Sequence, residues 1–307
     1  MYLDNNWYGH RFILSRYCGL KNYPAFATIQ HGWVSLQEAE KFDVSKRKIN
    51  FAPYLSWNQN ILNFSKKHGA KNIIPIGSPF LYLDRIIKRN KKVTAKGAIL
   101  FPAHSIKEMP THKKFTQSIL HDEVVKYIEK NFKGPYTVCF FYSDFIKKNI
   151  DFYKKRGWNV TCCGSRSENY FLFKLHRIIS QHKHIICTDF SSVLLYSMYL
   201  QKKCTYLRYL YVNNKKKKVN KKNYHERLGK NVEDKIIEDL HSRFPKLFSK
   251  YESSKKTYEF AKNELGFSFI KSKKKLRKLL GWNFFYIILS FFISYLISKK
   301  YNKDIKN

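Results

Sequence analysis

The chain has 307 residues, 44% of them hydrophobic, with 59 Lys or Arg against 22 Asp or Glu for a formal charge of +37. That hydrophobic fraction excludes general disorder, and the length suffices for two α/β units or one large domain with appendages. The charge narrows the partners to nucleic acid, an anionic membrane surface or phosphorylated substrates, although the joint abundance of Lys, Asn, Ile, Phe and Tyr, all with A+T-rich codons, accounts for part of it. Six cysteines show neither CxxC spacing nor a zinc-type His cluster, which points to free thiols in a reducing compartment. Met1 is followed by Tyr-Leu-Asp-Asn-Asn rather than a basic and then apolar run, so no secretory signal is expected.

Residues 1–92 read as a small α/β unit. Strands are predicted at 25–30, 54–57 and 72–76, the first ending in His31-Gly32-Trp33 and the third in Gly77-Ser78-Pro79. Asn58 is placed to cap a helix running to Lys67. Three strands are few for a complete unit, so either this unit is reduced or the reading frame lacks an upstream portion. Asn90-Lys91-Lys92 and the residues to Gly97 form a polar linker.

Over 97–212 strands and helices alternate. Strands at 98–101, 136–141, 158–162, 185–188 and 204–207 enclose four helical patterns. The first is capped by Thr111 and carries Val124, Val125 and Ile128 on its apolar face. The second covers 150–156 and ends at Gly157, the third is marked by Phe171, Leu172 and Leu175, and the fourth covers 193–200. This alternation predicts right-handed βαβ units, a parallel sheet, and ligands beyond the C-terminal strand ends. The polar breaks His104-Ser105, Ser143-Asp144, Gly164-Ser165-Arg166 and Asp189-Phe190-Ser191-Ser192 fall at those ends. The last break sets two serines at a helix N-terminus, where free N–H groups and the helix dipole favour phosphate oxygens. Simple helix capping by Asp189 or Ser191 is the alternative there.

Residues 213–270 begin with a low-complexity basic loop (213–222) and continue as helices with an apolar stripe through Ile236, Ile237, Leu240, Phe244 and Leu247. The segment 271–300 opens with six cations in the eight positions 271–278, followed by twenty residues without a charge, 279–298. As a helix these would span roughly 30 Å, a bilayer core, which predicts a membrane-associating helix tethered electrostatically by its basic flank. Ser290, Ser294 and Ser298 share one face, so an in-plane helix is one alternative, and a helix packed on the domain core is another.

The run Cys187-Thr188-Asp189-Phe190-Ser191-Ser192 resembles the donor-side motif of bacterial surface-polysaccharide transferases. It is similar both to CDP-glycerol glycerophosphotransferases and to bacterial sialyltransferases, whose paired serines contact the nucleotide phosphates. Gln30-His31-Gly32-Trp33 resembles the His-Gly motif of the glycerophosphotransferases, where the His serves as base. Phe101-Pro102-Ala103-His104-Ser105 occupies the place of the sialyltransferase His-Pro motif, with Ser105 where those enzymes have Pro. The segment from Glu264-Leu265-Gly266-Phe267 to Gly281-Trp282 resembles the tail of polysaccharide-biosynthesis proteins.

The resemblance covers most of the chain and implies a GT-B-like α/β architecture of two Rossmann-like lobes. The lobe 1–92 would face the acceptor and 97–212 would bind the donor. The implied activity is transfer of a sugar from a nucleotide-sugar donor to a capsule or lipopolysaccharide acceptor, glycan or lipid-linked, at the cytoplasmic face of the bacterial inner membrane. A CDP-glycerol-type polyol-phosphate transferase is the nearest alternative. A membrane-tethered basic nucleic-acid-binding protein is the non-enzyme alternative, disfavoured because the aromatics fall at core spacing instead of interleaving with Lys and Arg. On the transferase reading His31 is the catalytic base. His104, Arg166, Ser191 and Ser192 contact the donor phosphates. Gly32 and Gly164 allow close backbone approach or a tight turn, and Asp189 orders its own turn. No DxD pair is present, so neither a metal nor another cofactor is expected.

Overall fold

A computed structural model of the chain describes residues 6–33, 52–67, 72–87, 94–103, 119–207 and 239–282. The framework is α/β, with two all-parallel sheets of three and five strands. The smaller contains β1 (Thr28–Ile29), β2 (Tyr54–Ser56) and β3 (Ile73–Pro75) in that order. The larger is built from β4 (Ala98–Phe101), β5 (Tyr136–Phe140), β6 (Asn159–Cys162), β7 (His184–Cys187) and β8 (Lys203–Tyr206), arranged β6-β5-β4-β7-β8.

That order is doubly wound. The chain steps outward from β4 to β6, crosses back to β7 beside β4, and steps outward again, so the switch point lies between β4 and β7. Strand periodicity explains why both faces are buried. Ile99, Cys139, Ile185 and Cys187 enter one apolar cluster, while their neighbours Leu100, Val138 and Ile186 enter another. The second face is covered by α4 (Ile119–Asn131) and α5 (Lys147–Lys154). The first is covered by α6 (Phe171–Gln181) and α7 (Ser192–Tyr199). Residues Leu194 to Tyr199 of α7 are all buried, as expected of a helix enclosed on every side.

The smaller sheet connects through α2 (Gln59–Lys67), and the Asn58 side chain accepts from the Ile61 N–H at 3.1 Å, capping that helix as its position predicts. Two further helices, α1 (His10–Tyr17) and α3 (Pro79–Ile86), were not predicted. α3 begins at a Ser78 cap with Pro79 in its first turn, signals read from sequence only as the end of a strand. The apolar cluster on the α6/α7 face runs without a break into the smaller sheet, through Ile29, Leu55, Trp57 and Phe80. Phe80 stacks on Tyr196 at 4.0 Å between centroids. Asp84 accepts from the Tyr199 hydroxyl at 3.2 Å and lies 3.4 Å from His176 Nε2. The two sheets therefore share one core below the junction rather than facing each other across an open cleft.

The C-terminal part supplies α8 (Lys246–Ser249), α9 (Lys255–Glu264) and α10 (Lys273–Leu279). Beyond α9 the chain returns to the smaller sheet. The Leu265 carbonyl accepts from the Ser78 N–H at 2.8 Å, and the Leu280 carbonyl from the Phe26 N–H at 3.2 Å. Here the expected continuous span 279–298 is corrected at its start. α10 ends at Leu279, Gly281 takes a φ of 70°, and Leu280 and Trp282 are buried in the protein core. Of the uncharged run, 283–298 lies outside the described residues, as do Thr111 and the loop 213–222. Among the described residues no helix is long and apolar enough to cross a membrane.

Candidate active site

A cavity of about 330 Å³ opens at the β4/β7 switch point, where both sheets contribute walls. From the smaller sheet come His31, Gly32 and Trp33, just after β1. From the larger come Pro102 and Ala103 after β4, Phe141 after β5, and Asp189 to Val193, from the turn after β7 into the first turn of α7. Tyr8, just ahead of α1, closes another side.

The turn after β1 is held by Gln30, only 2% exposed. Its side-chain oxygen accepts from the Trp57 N–H at 2.9 Å, its amide nitrogen donates to the Gly32 carbonyl at 2.8 Å, and its own carbonyl accepts from the Trp57 indole at 3.1 Å. With these groups satisfied internally, His31 is left exposed at the cavity, 5.8 Å from the Trp7 ring. Trp33 makes the link to α7: its backbone N–H donates to Ser192 Oγ at 2.9 Å, and its ring meets Phe190 edge-on at 4.9 Å. The Trp33 indole also donates to Glu264 Oε2 at 2.7 Å. Burial pushes the Glu264 carboxyl above its ordinary value, against the opposing effect of that indole.

The two serines have different settings. Ser192 Oγ accepts from Trp33 and also bonds the Tyr196 hydroxyl, which is shared with Ser78. Ser191 is the first flanking residue of α7, lines the cavity, and makes no capping bond with its hydroxyl. The α7 N-terminus therefore brings the N–H groups of Ser192 and Val193 and the Ser191 hydroxyl to the cavity, while Ser192 ties the two walls together. Thr188 reinforces the switch point, its hydroxyl accepting from the Ala103 N–H at 2.8 Å. An added Cβ at Gly32 would meet Ser192 Oγ at 3.6 Å, ordinary contact, so space does not demand glycine there.

Arg166 does not line the cavity. Its guanidinium lies 3.9 Å from the centroid of the Trp7 ring, and its carbonyl accepts from the Tyr8 N–H, so it braces the Trp7-Tyr8 wall behind His31. Gly164 is required by its turn: φ is 89°, and a Cβ would fall 2.2 Å from Glu168 Oε1. Behind the same wall lies His10, 1% exposed. Burial first, and then the nearby His31, push the His10 imidazole down to about 3. His104 lies outside the described residues.

Asp189 is the only Asp, Glu, Lys or Arg among the described lining residues, and aromatic rings dominate the rest. Cys139 and Cys163 meet in the cavity wall with sulfurs 3.8 Å apart. That contact, followed by burial, holds the Cys139 thiol well above its ordinary value. Among the described residues no three His, Cys, Asp or Glu side chains are grouped to hold a metal ion. The arrangement can place an anion or polar ligand against α7, an aromatic or apolar group on the walls, and a reacting hydroxyl near His31. No protein-family model matches the chain, and neither a curated protein nor a solved structure does.

Proposed function

We propose that this chain is a GT-B-type glycosyltransferase that moves a sugar from a nucleotide-activated donor to a glycan or lipid-linked acceptor in cell-surface polysaccharide synthesis. Its place would be the cytoplasmic face of the bacterial inner membrane. The observation that carries the reading is the hydrogen bond from the Trp33 N–H to Ser192 Oγ. It joins the His31-Gly32-Trp33 turn to the Asp189-to-Ser192 turn around one cavity, although 159 residues separate the bonded pair. Both turns are the ones that resemble surface-polysaccharide transferases.

On this reading the donor diphosphate accepts from the first-turn N–H groups of α7 and from the Ser191 hydroxyl, which stabilise charge as the nucleotide leaves. His31 takes the proton of the acceptor hydroxyl as its oxygen bonds to the sugar. Asp189, an acceptor-only group when ionised, suits sugar hydroxyls better than phosphate. Arg166, held by Trp7, adds positive potential behind His31 without touching the ligand.

The test is a thermal-shift panel of nucleotide sugars and CDP-polyols, since a ligand at ~100 times its Kd stabilises by about 2.7 kcal/mol. Stabilisation by nucleotide sugars is expected. A response to CDP-polyols alone would move the assignment to polyol-phosphate transfer, and stabilisation by oligonucleotide alone would replace the enzyme reading with a binding one. Silence across all donors would sink the transferase reading.

A further inference from the structure

The stretches 6–33 and 265–282 contain no Asp or Glu, and the fold brings them together. α10 lies against the C-terminal end of α1. The Arg277 guanidinium donates to the Cys18 carbonyl, the Tyr17 hydroxyl to the Lys271 carbonyl at 3.4 Å, and the Trp282 indole to the Pro24 carbonyl at 2.7 Å. Leu276 and Leu280 are buried on the inner side. The outer side leaves Lys273, Lys274, Lys275 and Lys278 exposed, and the adjoining end of α1 adds exposed Arg16 and Lys21. None of these six cations forms an ion pair among the described residues. At the base of the patch, burial and then Lys275 push the Lys271 ammonium below its ordinary value, as unneutralised positive charge nearby would. In the sequence after Trp282, the sixteen residues 283–298 carry no charged side chain.

We propose that this composite face, built from α1 and α10 together, docks on the anionic headgroups of a phospholipid bilayer. The apolar run favours a bilayer over nucleic acid, which offers sixteen mostly apolar residues nothing to enter. The six cations of the face supply the preference for anionic over neutral lipid. α1, about 12 Å long, then sets the distance between the headgroups and the cavity wall at Tyr8. The proposal shares the membrane location of the transferase reading but rests on the surface. Vesicle binding and donor-induced stabilisation are separate readouts, so either can fail alone.

The full-length protein is titrated with phosphatidylcholine vesicles and with vesicles that also contain phosphatidylglycerol, and bound protein is read by cosedimentation. With about fivefold in partitioning per cation, the anionic vesicles should be preferred by a hundredfold or more, and added salt should erode that preference. Arg16→Gln with Lys21→Gln, far in sequence from the Lys-rich helix, should lower the affinity for anionic vesicles about 25-fold. Binding to neutral vesicles and the thermal midpoint should not change. Arg16→Lys with Lys21→Arg should keep the wild-type affinity, and keeping it also excludes a folding defect as the cause. Equal binding to both vesicle types overturns the proposal, as does an Arg16/Lys21 neutralisation without effect. A duplex oligonucleotide bound more tightly than anionic vesicles at the same salt overturns it too.

Discussion

The larger sheet is covered mostly by helices that alternate with its own strands, whereas the smaller sheet is closed by segments from distant parts of the chain. α4 and α5 cover one face of the five-stranded sheet and α6 and α7 the other, each between the strands it connects. The three-stranded sheet depends on α1 from before β1 and on residues 264–282 from the far end. The Glu264 carbonyl accepts from the Asn58 side chain at 2.9 Å, and the Lys271 N–H donates to the Tyr82 hydroxyl at 2.9 Å. A unit that looks reduced in sequence is completed by chain that arrives last. The catalytic candidates sit where the locally built and the distantly completed regions meet.

Glycine substitutions test that contrast with the largest expected effect. At Gly266, φ is 71° and a Cβ would fall 1.8 Å from the Trp57 carbonyl oxygen, so Gly266→Ala must part the C-terminal segment from the smaller sheet. The expected loss of stability exceeds ~4 kcal/mol. Gly157 in the larger unit has a similar φ of 76° but open space around it. Gly157→Ala should cost only the backbone strain, about 1–2 kcal/mol. Urea titrations of both variants decide the matter, and comparable losses would mean that the closing contacts of 264–282 contribute little.

A middle-sized effect is expected at Trp33. Trp33→Phe keeps a ring against Phe190 but removes the indole donor from the half-buried Glu264 carboxylate. The loss should be about 1.5–3 kcal/mol. Glu264→Gln in the same background should recover part of it, because an amide needs no charge partner. No recovery in a double-mutant cycle would show that the ring, not the hydrogen bond, matters.

The effect that is smallest near neutrality, and grows as acid is added, is one of pH. Folded His10 titrates at about 3 and the unfolded residue near 6.5. Between those values the unfolded chain binds a proton that the folded chain refuses, so stability is full above pH 6.5 and falls as pH drops toward 3. The slope contributed is up to ~1.4 kcal/mol per pH unit. His10→Gln should flatten the stability curve by that slope below pH 6.5 and leave its shape above pH 7 unchanged. Parallel curves for the two proteins would place His10 in contact with solvent.

Much of the larger unit was legible because its signals are local. β4 was read at its observed bounds, and β7, α7 and the polar break before α7 were read to within a residue. Alternating apolar positions and a cap-type turn need no distant partner. The smaller unit is legible in its strands and in α2, whose Asn58 cap is a local signal, but not in α1 or α3. α1 starts at Gly9, with φ of 75° and no side-chain cap, so it offers no start signal. The uncharged run from 279 concealed that Leu280 and Trp282 belong to the core, because burial in protein and burial in lipid select the same residue types.

Within the site, His31, Asp189, Ser191 and Ser192 were singled out and lie around one cavity. The supporting groups were not. Gln30 was quoted in its motif without a role, and Thr188 and Glu264 act through partners 85 and 231 residues away, distances at which sequence carries no pairing signal. Arg166 is expected on phosphate, but its guanidinium lies over the Trp7 ring, and Trp7 gives no sign in sequence that it lies beneath.

On the transferase reading, one wall of the cavity binds the donor and the opposite wall does the chemistry. Donor affinity by calorimetry and turnover, measured on the wild type, Ser191→Ala and His31→Gln, test it most directly. Ser191→Ala should weaken donor binding at least tenfold, the loss of a hydrogen bond to a charged group. His31→Gln should bind donor within about twofold of the wild type while turnover falls by roughly 10²–10⁴-fold, the contribution of a positioned base. A His31→Gln protein that turns over at the wild-type rate, or a Ser191→Ala protein with unaltered donor affinity, would contradict the account.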